Sequence, residues 1–118
     1  MKTLILGASL KPNRYSNLAI NKFIEGKYDV VGVGQEEGQI GDVRIFTGMP
    51  KFDDIHTITI YMNAQNQEAY YDYIISLKPK RVIFNPGTYN LKLQDILMDH
   101  GIAFENACTL VLLGTRQF

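Results

Sequence analysis

The first patterned stretch of the chain, Thr3-Leu4-Ile5-Leu6-Gly7-Ala8, is almost wholly apolar and stops at a cluster of small residues. A short continuous run of this kind predicts a strand buried on both faces. From Ser16 the spacing changes: Ala19, Ile20, Phe23 and Ile24 recur at helical intervals, with Ser16 placed to cap the helix and Gly26 to end it. Tyr28-Asp29-Val30-Val31-Gly32-Val33-Gly34 then returns to β-branched content. Strand, helix and strand thus follow within about thirty residues, the span of one βαβ unit.

The alternation continues. Thr57-Ile58-Thr59-Ile60-Tyr61-Met62 predicts a third strand, and Asn63 can cap the helix after it. In that helix Tyr70, Tyr73, Ile74 and Leu77 form an apolar stripe, which Pro79 ends. Arg81-Val82-Ile83-Phe84-Asn85 predicts a fourth strand, and Leu93, Ile96 and Leu97 a third helix closed by Gly101. Ile102–Phe104 and Leu110–Leu113 are left as short edge strands. The segment from Gln35 to Asp54 breaks the rhythm with Gly38, Gly41, Gly48 and Pro50 among charges, and predicts a surface connection with a short strand around Val43–Phe46. The expected fold is α/β, a Rossmann-like open parallel sheet of about five strands with helices on both faces. No repeat, low-complexity tract or linker divides it, so residues 1–118 are expected to form one domain.

Composition narrows the function. At 118 residues, 46% hydrophobic and 20% charged, the chain is long enough to bury a core without staples. Twelve Lys and Arg balance twelve Asp and Glu, so no global field draws the chain to nucleic acid or an anionic membrane. One cysteine excludes an internal disulfide and multi-cysteine zinc patterns. The opening apolar run ends at Gly7, far short of a signal or membrane-spanning segment, and a cytoplasmic location is expected.

In an open parallel sheet ligands sit beyond the carboxyl ends of the strands, which directs attention to the segments after Ala8, Gly34, Met62 and Asn85. The first, Gly7 to Ser16, is rich in small and hydrogen-bonding residues. The helix behind it points free N–H groups and partial positive charge at the loop, a combination suited to phosphate. Lys11 and Arg14 can add charge, and Ser9, Asn13 and Ser16 hydrogen bonds. An ordinary strand-to-helix turn with two solvated cations is the plainer account of the same residues. A Gly-x-Gly-x-x-Gly fingerprint is absent, since no glycine lies between Gly7 and Gly26. No Gly-Lys-Ser/Thr ending is present either, which argues against an ATPase.

Gly7-Ala8-Ser9, the Lys11-Pro12 pair, and Arg14 and Ser16 opening the helix resemble the small stand-alone CoA-binding domain family, related to the nucleotide-binding domain of the succinyl-CoA synthetase alpha subunit. The resemblance runs from Thr3 to about Leu113; Asn85-Pro86-Gly87-Thr88 with Asn90 is similar to that family's loop after the fourth strand, and Cys108 falls where members often carry a cysteine. The resemblance implies a Rossmann-like domain that binds coenzyme A or an acyl-CoA. By position it implies that Gly7, Ala8, Ser9, Asn13, Arg14 and Ser16 contact the phosphates, Gln35 the adenosine, and Asn63 with Pro86 and Gly87 the adjoining wall. Two features depart from it. Family members often have a proline and a basic residue after the second strand, where this chain has Gly34-Gln35-Glu36-Glu37. Around Cys108 they often show Arg-Cys-Pro and a later Glu, where this chain has Ala107-Cys108-Thr109 followed by apolar residues.

Glu36 also supports an alternative, because an acid ending the second strand holds the ribose of many unphosphorylated adenine dinucleotides. An NAD-type binding or redox-sensing domain is therefore one rival, and the CoA-binding subunit of a larger acyl-CoA enzyme another. His56, at the amino end of a strand, and His100, near a helix end, are better explained structurally than as catalysts or metal ligands. Cys108 reads as a small buried hydrophobe, with a reactive thiol the less favoured account. Tyr70 and Tyr73 read as core, and Tyr71 has no basic patch beside it. No nucleophile–base pair, carboxylate pair or metal set is visible, so a binding module leads over an enzyme. The expected partner is a small-molecule nucleotide cofactor, with neither nucleic acid nor membrane; self-association as a homodimer stays open.

Overall fold

A computed structural model describes all residues from Met1 to Phe118. The most continuously apolar run forms β1 (Lys2–Ala8), and it lies inside a seven-stranded sheet. The others are β2 (Asp29–Gly34), β3 (Gly38–Ile40), β4 (Val43–Phe46), β5 (Ile55–Ile60), β6 (Arg81–Phe84) and β7 (Ala103–Asn106), in the order β3-β4-β2-β1-β5-β6-β7. All neighbours pair parallel except β3, which runs antiparallel to β4. Apart from β3, strands are added outward on either side of β1, the doubly wound arrangement in which strand order reverses between β1 and β5.

The helices are α1 (Tyr15–Glu25), α2 (Ala64–Gln67), α3 (Tyr71–Ser76), α4 (Leu91–Asp99) and α5 (Thr109–Gly114), with a 3₁₀ turn (Glu68–Tyr70) between α2 and α3. Alternate residues of β1 serve opposite layers. Leu4 and Leu6 pack with Ile58, Ile60, Val82 and Phe84 against Ile74 and Leu77 at the end of α3 and Leu93 and Leu97 of α4. Ile5 faces the other way, with Ala19, Ile20 and Phe23 of α1 and Ile45 of β4; Leu110 and Leu113 of α5 and Phe118 complete this layer. Each large apolar side chain fully buried in these layers contributes about 1.5–3 kcal/mol. Phe118 packs edge-on to Phe23 and Tyr28, and its ring lies 4.7 Å from the Arg81 guanidinium, which also donates to its carbonyl oxygen at 3.0 Å.

Three expectations need correction. The sheet has seven strands rather than about five, because the Gln35–Asp54 connection contributes two, Ile40 and Val43 pairing across a tight turn at Gly41 and Asp42. Leu110–Leu113 is helical, not an edge strand: Leu110 and Leu113 turn inward at helical spacing while Val111 is exposed. Ser16 does not cap α1, which begins one residue earlier with Arg14 at the cap position; Ser16 is buried in the first turn. Gly26 does end α1, but the left-handed residue is Lys27, and the Tyr28 amide closes the turn on the Phe23 carbonyl at 3.0 Å. A Cβ at 26 would lie 2.6 Å from the Tyr28 ring, which would have to turn aside to admit it.

Gly34, at the end of β2, sets how closely the carboxyl ends of β1 and β2 approach, since a Cβ on it would collide with the Ala8 carbonyl oxygen. Gly34→Ala should therefore cost about 1–3 kcal/mol in urea unfolding, the size of an overpacking defect. Gly101 has no heavy atom near an added Cβ and only a left-handed φ of 69° to strain, so Gly101→Ala should cost less. Equal losses would show that close approach at Gly34 is not what limits the site.

Candidate functional site

Beyond the carboxyl ends of β1, β2, β5 and β6, where the strand order reverses, lies a cleft of about 1070 Å³. That is at the upper end of small-molecule sites. Its floor is Gly7 and Ala8; one wall is Gly34, Gln35 and Glu36, and the other combines Tyr61 to Asn63, Asn66, Tyr70, Asn85, Pro86, Thr88, Cys108 and Leu110.

The loop from Ser9 to Arg14 is held by few bonds of its own. The Ser9 hydroxyl accepts from the Lys11 amide at 3.1 Å, the Arg14 amide donates to the Lys11 carbonyl at 3.1 Å, and Asn17 Nδ2 holds the Ser9 carbonyl at 2.9 Å. The amides of Ser9 and Leu10, and those of Tyr15, Ser16 and Asn17 in the first turn of α1, donate to no protein acceptor. Ser9, Leu10, Tyr15 and Ser16 line the cleft at the positive, amino-terminal end of the 11-residue α1. Lys11 and Arg14 are exposed, line the cleft and enter no ion pair. Gly7, with φ 97°, lets the loop leave β1 against the Tyr61–Met62 backbone, where a Cβ would come within 3.1 Å.

The opposite wall is organised by Asn85. Its Nδ2 donates to Thr59 Oγ1 at 2.7 Å and to the Ile60 carbonyl at 2.8 Å, and its Oδ1 accepts from the Thr109 amide at 2.8 Å. With its oxygen accepting from Asn85, the Thr59 hydroxyl is free to donate to Thr109 Oγ1 at 2.7 Å. The Thr88 hydroxyl closes the loop on the Asn85 carbonyl at 2.7 Å. A second amide, Gln67, donates to the carbonyls of Met62 and Thr88 and accepts from Asn90, which also caps α4 through the Leu93 amide. Asn63 caps α2 as its sequence position predicts, accepting from Asn66 at 2.9 Å.

Tyr61 is the exception in this satisfied wall: its hydroxyl is buried without a hydrogen-bond partner. Burial pushes its phenol up to about 12, and neighbouring Cys108 adds to the rise. Cys108, expected as a buried hydrophobe, is half-buried and lines the cleft at the start of α5. His56 bonds Thr57 and His100 the Ile96 carbonyl, and neither lines the cleft. No three His, Cys, Asp or Glu side chains converge as a metal site, and no helix is long and apolar enough to cross a membrane.

Of the ten residues singled out from the sequence, the cleft brings together Gly7, Ala8, Ser9, Arg14, Ser16, Gln35, Asn63 and Pro86. Asn13 and Gly87 do not line it; both are exposed on their loops. Sequence reasoning did not place Tyr61, Asn66, Tyr70 or Leu110 in the site, and treated Asn85 only as part of a loop motif. The family model for a CoA binding domain matches residues 1–114.

This chain belongs to the CoA-binding domain family. The matched residues include every segment that lines the cleft, from Gly7 to Leu110. An uncharacterized protein of known structure is 44% identical over 99% of this chain and 97% of its own, with a TM-score of 0.94. A hypothetical protein from Pyrococcus horikoshii OT3 (22% identity, 98% of this chain and 82% of its own, TM-score 0.85) has the same fold. So does the protein designated cell-free ID.343 from Thermus thermophilus (16%, 99% and 90%, 0.87). Among curated proteins nothing matches.

Asn85→Ala strips partners from Thr59, Ile60 and Thr109 at once, and should lower stability by about 3 kcal/mol in denaturant unfolding, near the upper end for an unsatisfied buried group. A loss below about 1 kcal/mol would remove Asn85 as the organiser of the wall. Tyr61 gives a pH signature. The folded state holds its proton more tightly than the unfolded chain, so the associated stability is complete below pH 10 and is lost as pH rises toward 12. Tyr73, pushed up to about 12 by burial and by neighbouring Tyr70, acts in the same direction. Alkaline melts of Tyr61→Phe should therefore fall less steeply between pH 10 and 12 than wild type, with equal or slightly higher stability at pH 7.

Proposed function

We propose that the cleft binds coenzyme A or an acyl-CoA, with the diphosphate on the loop between β1 and α1. The observation that carries this reading is the set of amides at Ser9, Leu10, Tyr15, Ser16 and Asn17 that no protein group engages, beside two unpaired cations. An anion there gains hydrogen bonds, a helix dipole and charge together. In this reading Gly7, Ala8, Ser9, Arg14 and Ser16 hold the phosphates, Gln35 sits beside the adenosine, and Asn63 and Pro86 form the wall of the thiol-bearing arm. Coenzyme A would supply the thioester chemistry; the protein's residues would hold and orient it, and the chain acts as a binding module.

Asn13 and Gly87 shape their loops from outside the cleft and are not assigned contacts in this proposal. Tyr61, Met62, Tyr70 and Leu110 give the far wall an apolar, aromatic lining suited to an extended arm of amides and methylenes. A ligand bound there has a fixed place for its charge and a tolerant surface for its tail.

Titration calorimetry with coenzyme A tests the proposal. Binding should raise the melting temperature of the protein, and Arg14→Ala should lose about 1–3 kcal/mol of binding free energy, the size of a charge-assisted hydrogen bond. Undiminished affinity in Arg14→Ala would remove that guanidinium from the phosphate site.

A further inference from the structure

We infer that Glu36 sets the specificity of the cleft at its sugar end, favouring adenine nucleotides whose ribose carries a free 3′-hydroxyl over those carrying a 3′-phosphate. The inference rests on the nucleotide reading above and sharpens it. A ligand whose diphosphate lies on the first loop leaves that loop in two directions. Toward β5 and β6 it meets Tyr61, Met62, Tyr70, Pro86 and Leu110 interleaved with asparagine and threonine side chains; toward β2 it meets only Gly34, Gln35 and Glu36. A sugar belongs on the second side, which offers no apolar side chain, and an arm of amides and methylenes on the first, mixed one.

The position of Glu36 is constrained. Gly34 abuts the Ala8 carbonyl, and Leu10 packs on Gly38, where a Cβ would lie 2.7 Å from the leucine methyls. The segment between those two glycines is thereby pinned to the first loop from both ends, and Glu36 lines the cleft within it.

Charge decides what that wall accepts. Lys11 and Arg14 are the only cations lining the cleft, and both belong to the first loop. Glu36 has no ion-pair partner, since the three ion pairs of the protein, Lys2–Asp54, Lys22–Glu25 and Arg81–Glu105, all lie outside the cleft. Arg44, on neighbouring β4, does not line the cleft and has its guanidinium 4.9 Å from the Phe46 ring. An unpaired carboxylate accepts hydrogen bonds from the 2′- and 3′-hydroxyls of a ribose, as an acid in this position does in dinucleotide sites. Phosphorylation at the 3′ position deletes one of those donors and sets a dianionic group beside the carboxylate with no cation to neutralise it.

Calorimetry with dephospho-coenzyme A, coenzyme A and NAD⁺ on the wild type, Glu36→Gln and Glu36→Lys tests this. Wild type should bind dephospho-coenzyme A about tenfold more tightly than coenzyme A at low salt, a gap that narrows as salt is raised. The ratio should fall close to one in Glu36→Gln and invert in Glu36→Lys. Glu36 is exposed, and unchanged melting temperatures of both unliganded variants will show that folding is not the cause. Coenzyme A binding the wild type as tightly as its dephospho form, or a ratio unaltered in Glu36→Gln, would overturn the inference while leaving the nucleotide reading intact. NAD⁺ binding more tightly than dephospho-coenzyme A, with loss in Glu36→Gln, would support the role of Glu36 and overturn the coenzyme A reading. No binding of any of the three would overturn both.

Discussion

One buried carboxamide holds the site together. The cleft is walled by segments from β5, β6 and α5 that share no local contacts along the chain, and the Asn85 side chain bonds to two of them from the third. A carboxamide suits this place because it presents donors and an acceptor at once, without the desolvation cost of a charge. Around it Thr59, Thr109 and Thr88 complete the pairing, so the buried polar side chains beside Asn85 are satisfied internally, the Tyr61 hydroxyl excepted. Gln67 repeats the device one layer out, tying Met62, Thr88 and Asn90. The wall is therefore braced from within the protein, whereas the first loop leaves its donors open.

That division of labour explains the electrostatics. A nearly neutral chain has no long-range field, and selectivity for an anion must come from a few groups at short range. The amides, α1, Lys11 and Arg14 concentrate positive potential on one stretch of the floor, and Glu36 sets a negative limit to it on the β2 side. The lining of the cleft thus changes sign from the first loop to the β2 side.

Much of this was legible in the chain. The central strand β1 is apolar on both faces and β5 and β6 are buried on both, and their pattern announces a parallel sheet with two covering layers. The first loop was visible as small and polar residues immediately after a central strand, and its residues do line the cleft. Two features were not legible, for physical reasons. Leu110–Leu113 is four residues long, too short for helical and strand periodicities to separate, and what settles it is a bond from the Thr109 amide to Asn85, 24 positions away. The place of Tyr61 in the cleft wall likewise depends on which segments the strand order brings together, information carried by topology rather than by neighbours in sequence.

The short helix α5 is fixed at both ends. Its first amide is bound by Asn85, and the chain just past its last turn is clamped by Arg81 on Phe118, with Phe23 and Tyr28 closing over the same ring. A six-residue helix with one free end would fray, yet this one has no slack in which to do so. The far side of the cleft is consequently shaped before any guest arrives, and the ordering entropy that a floppy wall would forfeit on association has already been spent in folding.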